Sequence, residues 1–380
     1  MSIILVFGVT LLLVVLVSGF AARTVLSTAL LFLAAGAITG NGGAHWIDVK
    51  PHDPVVVTLA DLALFSVLYT DGMRAAVPAL KATGRTAGRA LGLGMPLTFI
   101  GIALLTKALT PLDWMASFLV GAILSPTDPV FAAAIIGRTD VPLRLRRLLN
   151  VESGLNDGLA LPVVVILIAA ASHGHTHIWT VVGELAAGIG SEGRLAPLGP
   201  FSVAVILYAT CHLTNANAYL AAFAAGSTLA TVAPAAHRAF EEFGDLIAEL
   251  LKLAALLVFG ALLTPHLLHR LPIGAWAVAV LALVLVRPVA LLLSLYRAHL
   301  TRRETAAVAW FGPKGFASVV YGLLALDAGL DVSQAVFDLV AVCIALSIAV
   351  HSSTDLPVAR MFNVPEALNP PDAPEPSRLE

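Results

Sequence analysis

Residues 124–137 read LSPTDPVFAAAIIG. Pro126 and Pro129 bracket Thr127 and Asp128 inside an apolar run, and each proline removes a helical hydrogen bond and crowds the turn before it. Backbone carbonyls freed in this way are tolerated at membrane depth only where protein or a water-filled cavity satisfies them. The spacing therefore predicts two half-helices separated by an unwound stretch at Thr127 and Asp128, with a carboxylate and loose peptide dipoles at the break.

The run belongs in a membrane because of the chain around it. Of 380 residues 58% are hydrophobic and 12% charged, with a mean hydropathy of +0.91, which leaves too little polar side chain to coat a water-soluble fold. The expected class is an all-α polytopic membrane protein. A net charge of −2 gives no sign of nucleic-acid binding, since the informative quantity in such a chain is where the charges lie. Cys211 and Cys343 fall inside apolar runs and read as small packing residues. The run from Ile3 to Phe20 has no basic leader before it, so it reads as a first transmembrane helix rather than a cleaved signal.

Apolar runs of about 17–25 residues, the length that crosses about 30 Å of hydrocarbon, occur near 3–20, 24–40, 54–71, 87–108, 113–137, 149–172, 178–190, 199–213, 217–234, 243–263, 272–296, 303–326 and 333–351. The seventh is short, contains Glu184 and leads into the turn-rich GSEGRLAPLGP. Lys252, Arg287 and Lys314 lie within segments, and of the remaining basic residues only Lys50, Lys107 and Arg270 follow even-numbered segments. That bias places the N-terminus outside and the C-terminus in the cytoplasm of an inner-membrane protein, and its parity requires segment seven to cross. Residues 1–364 form the expected transmembrane domain. Residues 365–380 form a brief, disordered Pro- and Glu-rich tail.

A second break stands in segment twelve, WFGPKGFASVV at 310–320, where Gly312, Pro313 and Gly315 surround Lys314. Segments five and twelve cross in opposite directions, as expected of inverted repeats whose broken helices meet at the midplane. Asp128 on one break and Lys314 on the other would offset converging dipole ends. Segment six opens LLNVESGLNDGLALPVVVIL at 148–167. On a helix Ser153, Asn156 and Asp157 share a face, and Glu152 lies one turn before Asn156. A carboxylate at that depth costs at least about 2.5–3.5 kcal/mol, so Asp157 should face the protein interior. It can hold either a proton or a small hard cation, with oxygens from Asn156, Ser153 and the Thr127 region as further ligands. Mutually exclusive binding of the two is the physical core of antiport. Arg287, in VLVRPVALLL, needs a buried partner, and Glu152 is the first choice, as a structural pair away from the transported ion.

SPTDPV, ESGLNDG, a late Arg-Pro and a Gly-x-basic-Gly break together resemble the cation:proton antiporter-1 family, the bacterial NhaP-type and animal sodium/proton exchangers, over all thirteen segments. The resemblance implies an NhaA-like antiporter fold with a moving six-helix core, a homodimer in membrane lipid, and no resident cofactor. It implies Asp157 as transport carboxylate with Asn156 beside it, Thr127 and Asp128 as the unwound-helix site, and Glu152–Arg287 as a brace. Asp157, Thr127 and Ser153 would hold a transported monovalent cation, sodium first and lithium or potassium otherwise. An Asn-Asp pair is associated in the family with electroneutral one-for-one exchange, and such exchange serves pH homeostasis. Lys314 departs from the family's usual arginine, keeping the charge but losing the guanidinium fork.

Other readings belong to other classes. An intramembrane aspartyl protease would use Asp128 and Asp157 as a proton-sharing pair, but the Gly-x-Gly-Asp signature is missing and the second break would have no role. A cation channel would need a continuous pore, and no carbonyl-lined filter repeat is present. Asp71, with Asp61 ten residues before it, serves either the ion path or a helix-end pair with Arg74. Glu249 and Lys252 are spaced to pair on one helix. His173, His175 and His177 alternate in an external loop without neighbouring ligands, a weak metal site.

Overall fold

The computed structural model describes residues 2–21, 28–74, 84–128, 141–172, 197–214, 216–298, 300–327 and 333–362, except for some side chains within helices, Asp157 among them. Segment seven, the histidines at 173–177, Pro129 and the tail at 365–380 lie outside the described residues. Those described are helix and connecting loop, with no strand among them.

In chain order the helices are α1 (Ser2–Ala21), α2 (Thr28–Thr39), α3 (Pro54–Arg74), α4 (Gly84–Arg89), α5 (Met95–Leu109), α6 (Trp114–Ile123), α7 (Leu143–Ser172), α8 (Leu198–Thr214), α9 (Ala218–Val232) and α10 (Pro234–Leu262). They continue as α11 (Pro265–Arg270), α12 (Ile273–Leu281), α13 (Arg287–Ser294), α14 (Arg302–Trp310), α15 (Phe316–Asp327) and α16 (Ser333–Ala359). The thirteen expected spans are only partly matched by simple length and composition. Four described helical stretches, Pro54–Arg74, Thr86–Leu109, Ile273–Ser294 and Ser333–Thr354, are long and apolar enough to cross a membrane. The breaks cut α6 to 10 residues and α15 to 12. By contrast α7 and α10 run to 30 and 29 residues, longer than the apolar runs at 149–172 and 243–263, with their charged residues gathered between Arg144 and Asp157 and between Arg238 and Lys252.

Two π-turns interrupt otherwise continuous helices, Ala90–Gly94 between α4 and α5 and Ala282–Val286 between α12 and α13. Each immediately precedes an X-Pro step, Met95-Pro96 and Arg287-Pro288. In each the X residue donates back to the first residue of the π-turn, Met95 to the Ala90 carbonyl and Arg287 to the Ala282 carbonyl. The wider turn lets the chain pass a proline that could make no helical bond of its own.

Small residues set the helix crossings. A Cβ on Gly72 of α3 would stand 2.2 Å from the Phe223 carbonyl of α9, and one on Gly226 of α9 would stand 2.1 Å from the Tyr69 carbonyl of α3. Gly36 of α2 and Gly260 of α10 face each other's backbones in the same manner. Without hydrophobic drive between helices in lipid, such close backbone approach supplies much of the packing energy. Helix α7 is held between α6 and α3, so its polar turn is carried into the centre of the bundle.

Candidate functional site

The two breaks cross, and each supplies what the other has lost. Asp128 donates its amide to the Pro313 carbonyl at 3.0 Å. Its carboxylate Oδ2 accepts from the Phe316 amide at 3.0 Å. Asp128 thus caps the positive end of α15, where a carboxylate is favoured by both orphan donors and the helix dipole. In return Lys314 Nζ approaches the Pro126 carbonyl at 3.4 Å, and Ser318 Oγ donates to the Ile123 carbonyl at the end of α6 at 2.7 Å. Asp128 and Lys314 are buried, Lys314 completely. The expected crossing of an acidic with a basic break is what the chain forms.

Gly315 makes the crossing possible, since a Cβ there would fall 2.0 Å from Asp128 Cβ. Gly312 does the same for a different neighbour: a Cβ would fall 1.4 Å from Arg287 Nε. Arg287 packs against this break, its Nη2 donating to the Phe311 carbonyl at 3.1 Å and to both Glu152 oxygens at 3.2 Å. The pair expected from sequence is therefore present and buried on both sides. One nitrogen spans the carboxylate in place of a two-nitrogen fork, and Nε has no partner among the described residues.

On α7 the polar turn gathers on Thr127. Its Oγ1 lies 2.5 Å from Asn156 Nδ2, 3.2 Å from Ser153 Oγ and 3.4 Å from Glu152 Oε2. Glu152, Ser153, Asn156 and Thr127 are all buried, Asn156 completely. Asn156 Oδ1 accepts nothing among the described residues, an oxygen left over in a site that already holds hydroxyls and a carboxylate. Asp157 follows Asn156 on α7, and its side chain lies outside the described residues.

The weaker signals resolve unevenly. Asp71 pairs with Arg74 at 3.2 Å, and Arg74 also reaches Asp245 at 2.8 Å, the helix-end arrangement. Glu249 and Lys252 pair at 2.7 Å. Asp61 accepts from the Tyr219 hydroxyl and lines a cavity of about 290 Å³ with Tyr208 and His212. Cys211 and Cys343 are free and buried. Two features were missed by sequence reasoning. Arg144 of α7 forms a two-pronged pair with Glu304 of α14, and Glu304 completes a capping box with Thr301. The Thr-x-x-Glu pattern at 301–304 was a readable helix start; the Arg144 partner was not. His351 and Ser347 of α16 contact the second break, and no local pattern marks them.

Oppositely charged helix breaks that cross beside a buried carboxylate, hydroxyl and amide cluster define the secondary-transporter class of membrane protein. Within that class the chain belongs to the sodium/hydrogen exchanger family, whose description, "Sodium/hydrogen exchanger, transmembrane", matches residues 8–191 and 187–360. This is a family of cation/proton antiporters, transporters and not enzymes. The chain is 25% identical over 387 residues to the K(+)/H(+) antiporter NhaP of Alkalimonas amylolytica, covering 95% of this chain and 67% of that protein. It is 25% identical to K(+)/H(+) antiporter NhaP2 of Shewanella baltica, covering 92% of this chain and 65% of that protein. The chain thus spans about two thirds of the length of these relatives. Its fold is similar to that of the sodium proton antiporter MjNhaP1 from Methanocaldococcus jannaschii, with a TM-score of 0.73 at 18% identity over 95% of this chain and 99% of that one.

Proposed function

We propose that this chain exchanges a monovalent cation for a proton by alternating access, with Asp157 binding the two in competition. The observation that carries the reading is the charge-compensated crossing of the two breaks against the polar turn of α7. Asp157 supplies the titratable charge, while Thr127, Ser153 and the spare Asn156 Oδ1 supply neutral oxygens suited to a hard ion. Asp128 and Lys314 hold the breaks open. Glu152 and Arg287 join α7, α13 and the second break into one body. With its Oδ2 engaged by the Phe316 amide, Asp128 is poorly placed to share a proton with Asp157 as a protease pair requires.

The finer architecture is part of the same proposal. An inverted repeat is supported by features that recur in matching order: a π-turn before an X-Pro step, then a broken helix, in each half of the chain. The α2–α10 and α3–α9 crossings, each built on facing glycines, are pairs that a two-fold between halves would exchange. The distribution of basic residues among the loops favours an N-terminus outside and a cytoplasmic C-terminus. Helix α1 leaves Ile4, Leu5, Leu12 and Leu16 exposed, an apolar face for lipid or for the second subunit of a homodimer.

Relatives described by potassium and by sodium both resemble this chain, so the ion is left to experiment. Sealed vesicles containing the purified protein should move protons opposite to an added sodium or potassium gradient. Proton flux with no cation dependence, or cation flux without proton movement, would reject antiport. The gradient that gives the larger rate identifies the ion.

A further inference from the structure

In an uninterrupted α-helix the Lys314 amide would donate to the Trp310 carbonyl, four residues back. Gly312 and Pro313 prevent that bond, and α14 ends at Trp310. The two groups are nevertheless connected through α16. The Lys314 amide donates to Ser347 Oγ at 2.7 Å, and Ser347 Oγ lies 3.2 Å from His351 Nδ1. His351 Nε2 in turn lies 3.1 Å from the Trp310 carbonyl. Ser347, His351 and Lys314 are all buried.

We propose that Ser347 and His351 form a proton-sensitive splint across the second break, replacing the missing Lys314-to-Trp310 helical bond with a side-chain relay. With its one hydrogen on Nε2 the neutral imidazole donates to Trp310, while Nδ1 accepts from the Ser347 hydroxyl, which itself accepts from Lys314. The Ser347 carbonyl, 2.8 Å from the same Nδ1, then faces a lone pair and takes no hydrogen from the ring. Proton uptake at Nδ1 rearranges it: Nδ1 becomes a donor and turns to the Ser347 carbonyl, already 2.8 Å away, and the hydroxyl loses its acceptor. The charged groups facing the ring are Lys314 on the break and Arg287 of α13, the latter paired with Glu152 of α7. A charged His351 therefore adds a third cation beside Lys314, whose ammonium sits against the first break. The splint thus lets acid act on the crossing itself, apart from proton competition at Asp157. It rests on the antiport reading only for its effect on transport.

The test compares the full-length wild type with S347A, H351Q and the double variant. Hydrogen–deuterium exchange in nanodiscs reads the splint without transport. Amides at 311–316 should exchange about tenfold faster in each single variant, and no faster in the double, because each change interrupts the same relay. Cation-driven proton flux then reads the proton sensitivity. The acid limb of the rate profile should move to lower pH in H351Q, which has no ring to charge. It should move to higher pH in S347A, where Nδ1 keeps the Ser347 carbonyl but loses the hydroxyl. Unchanged or additive amide exchange overturns the splint whether or not the wild type transports ions. Normal amide effects with identical acid limbs overturn its proton sensitivity. A wild type without cation-dependent flux fails the antiport reading alone.

Discussion

Thr127 has one hydroxyl hydrogen and two lone pairs, yet Asn156, Ser153 and Glu152 all stand within reach of its Oγ1. Accepting from Asn156 fixes the amide's orientation and leaves Asn156 Oδ1 as the spare oxygen. Asp157, one residue along, is the charge such oxygens would serve. Asp157→Asn should abolish cation-dependent proton flux while leaving folding intact, because an amide can neither release a proton nor balance a cation. Retained flux in vesicles holding folded mutant would remove Asp157 as the carrier. Arg287 poses a different problem, since its partner Glu152 is also buried. Arg287→Ala strands that carboxylate at a cost of about 3–5 kcal/mol. Glu152→Gln combined with Arg287→Gln should be milder, because no charge is left unpaired. Thermal unfolding in detergent should rank the double variant above the single one, and equal damage would remove the pair as a brace.

Between elements, small distances control the site. Gly315 has no room for a Cβ, because Asp128 occupies the space 2.0 Å away. Gly315→Ala must push the breaks apart and should cost about 1–3 kcal/mol or more, with a severalfold loss of flux. Gly8→Ala on α1, which meets nothing within 4 Å, is the matched control and should be neutral or slightly stabilising. If both variants melt and transport alike, the tight crossing has no energetic content. The start of α14 depends on Glu304, which caps it and holds Arg144 of α7. Loss of a capping side chain costs about 0.5–2 kcal/mol. Glu304→Ala should therefore lower the melting temperature, and Arg144→Ala less so, since the exposed arginine leaves the capping box in place. Equal or reversed losses would assign the stability to the ion pair instead.

For the whole molecule the question is how much charge crosses per cycle. One proton exchanged for one monovalent cation moves no net charge, and only moved charge couples to voltage, at about 2.3 kcal/mol per 100 mV. Flux through the wild type should thus be the same with the membrane potential clamped by an ionophore or left free. A severalfold change would reject electroneutrality and point to a second titrating carboxylate, with Asp71 and Asp128 the buried choices. Asn156→Asp tests the same idea from within the site, since it adds a carboxylate beside Asp157 that either carries a second proton or blocks the site by repulsion.

Membrane residence, the two breaks and the polar face of α7 were legible in the amino-acid sequence because each depends on rules of short reach. Composition decides the solvent, prolines and glycines stop helices where they stand, and a helical face is set by steps of three and four residues. Glu152 and Arg287 were also legible as partners, although far apart in the chain, because so few charges lie at that depth and none is cheap to leave alone. What only the tertiary structure decided is where separate helices meet. Asn156, Ser153 and the Thr127 region were expected around one site and Asp128 at the dipole ends of the crossing, but the particular contacts were not: the hydroxyl of Thr127 as the atom they gather on, the Phe316 amide that Asp128 caps, the Arg144–Glu304 pair and the reach of His351 to Trp310 each join distant segments. Their partners are selected by crossing angle and backbone approach, through glycines such as Gly315 whose lack of a side chain gives no local sign of what will occupy the space.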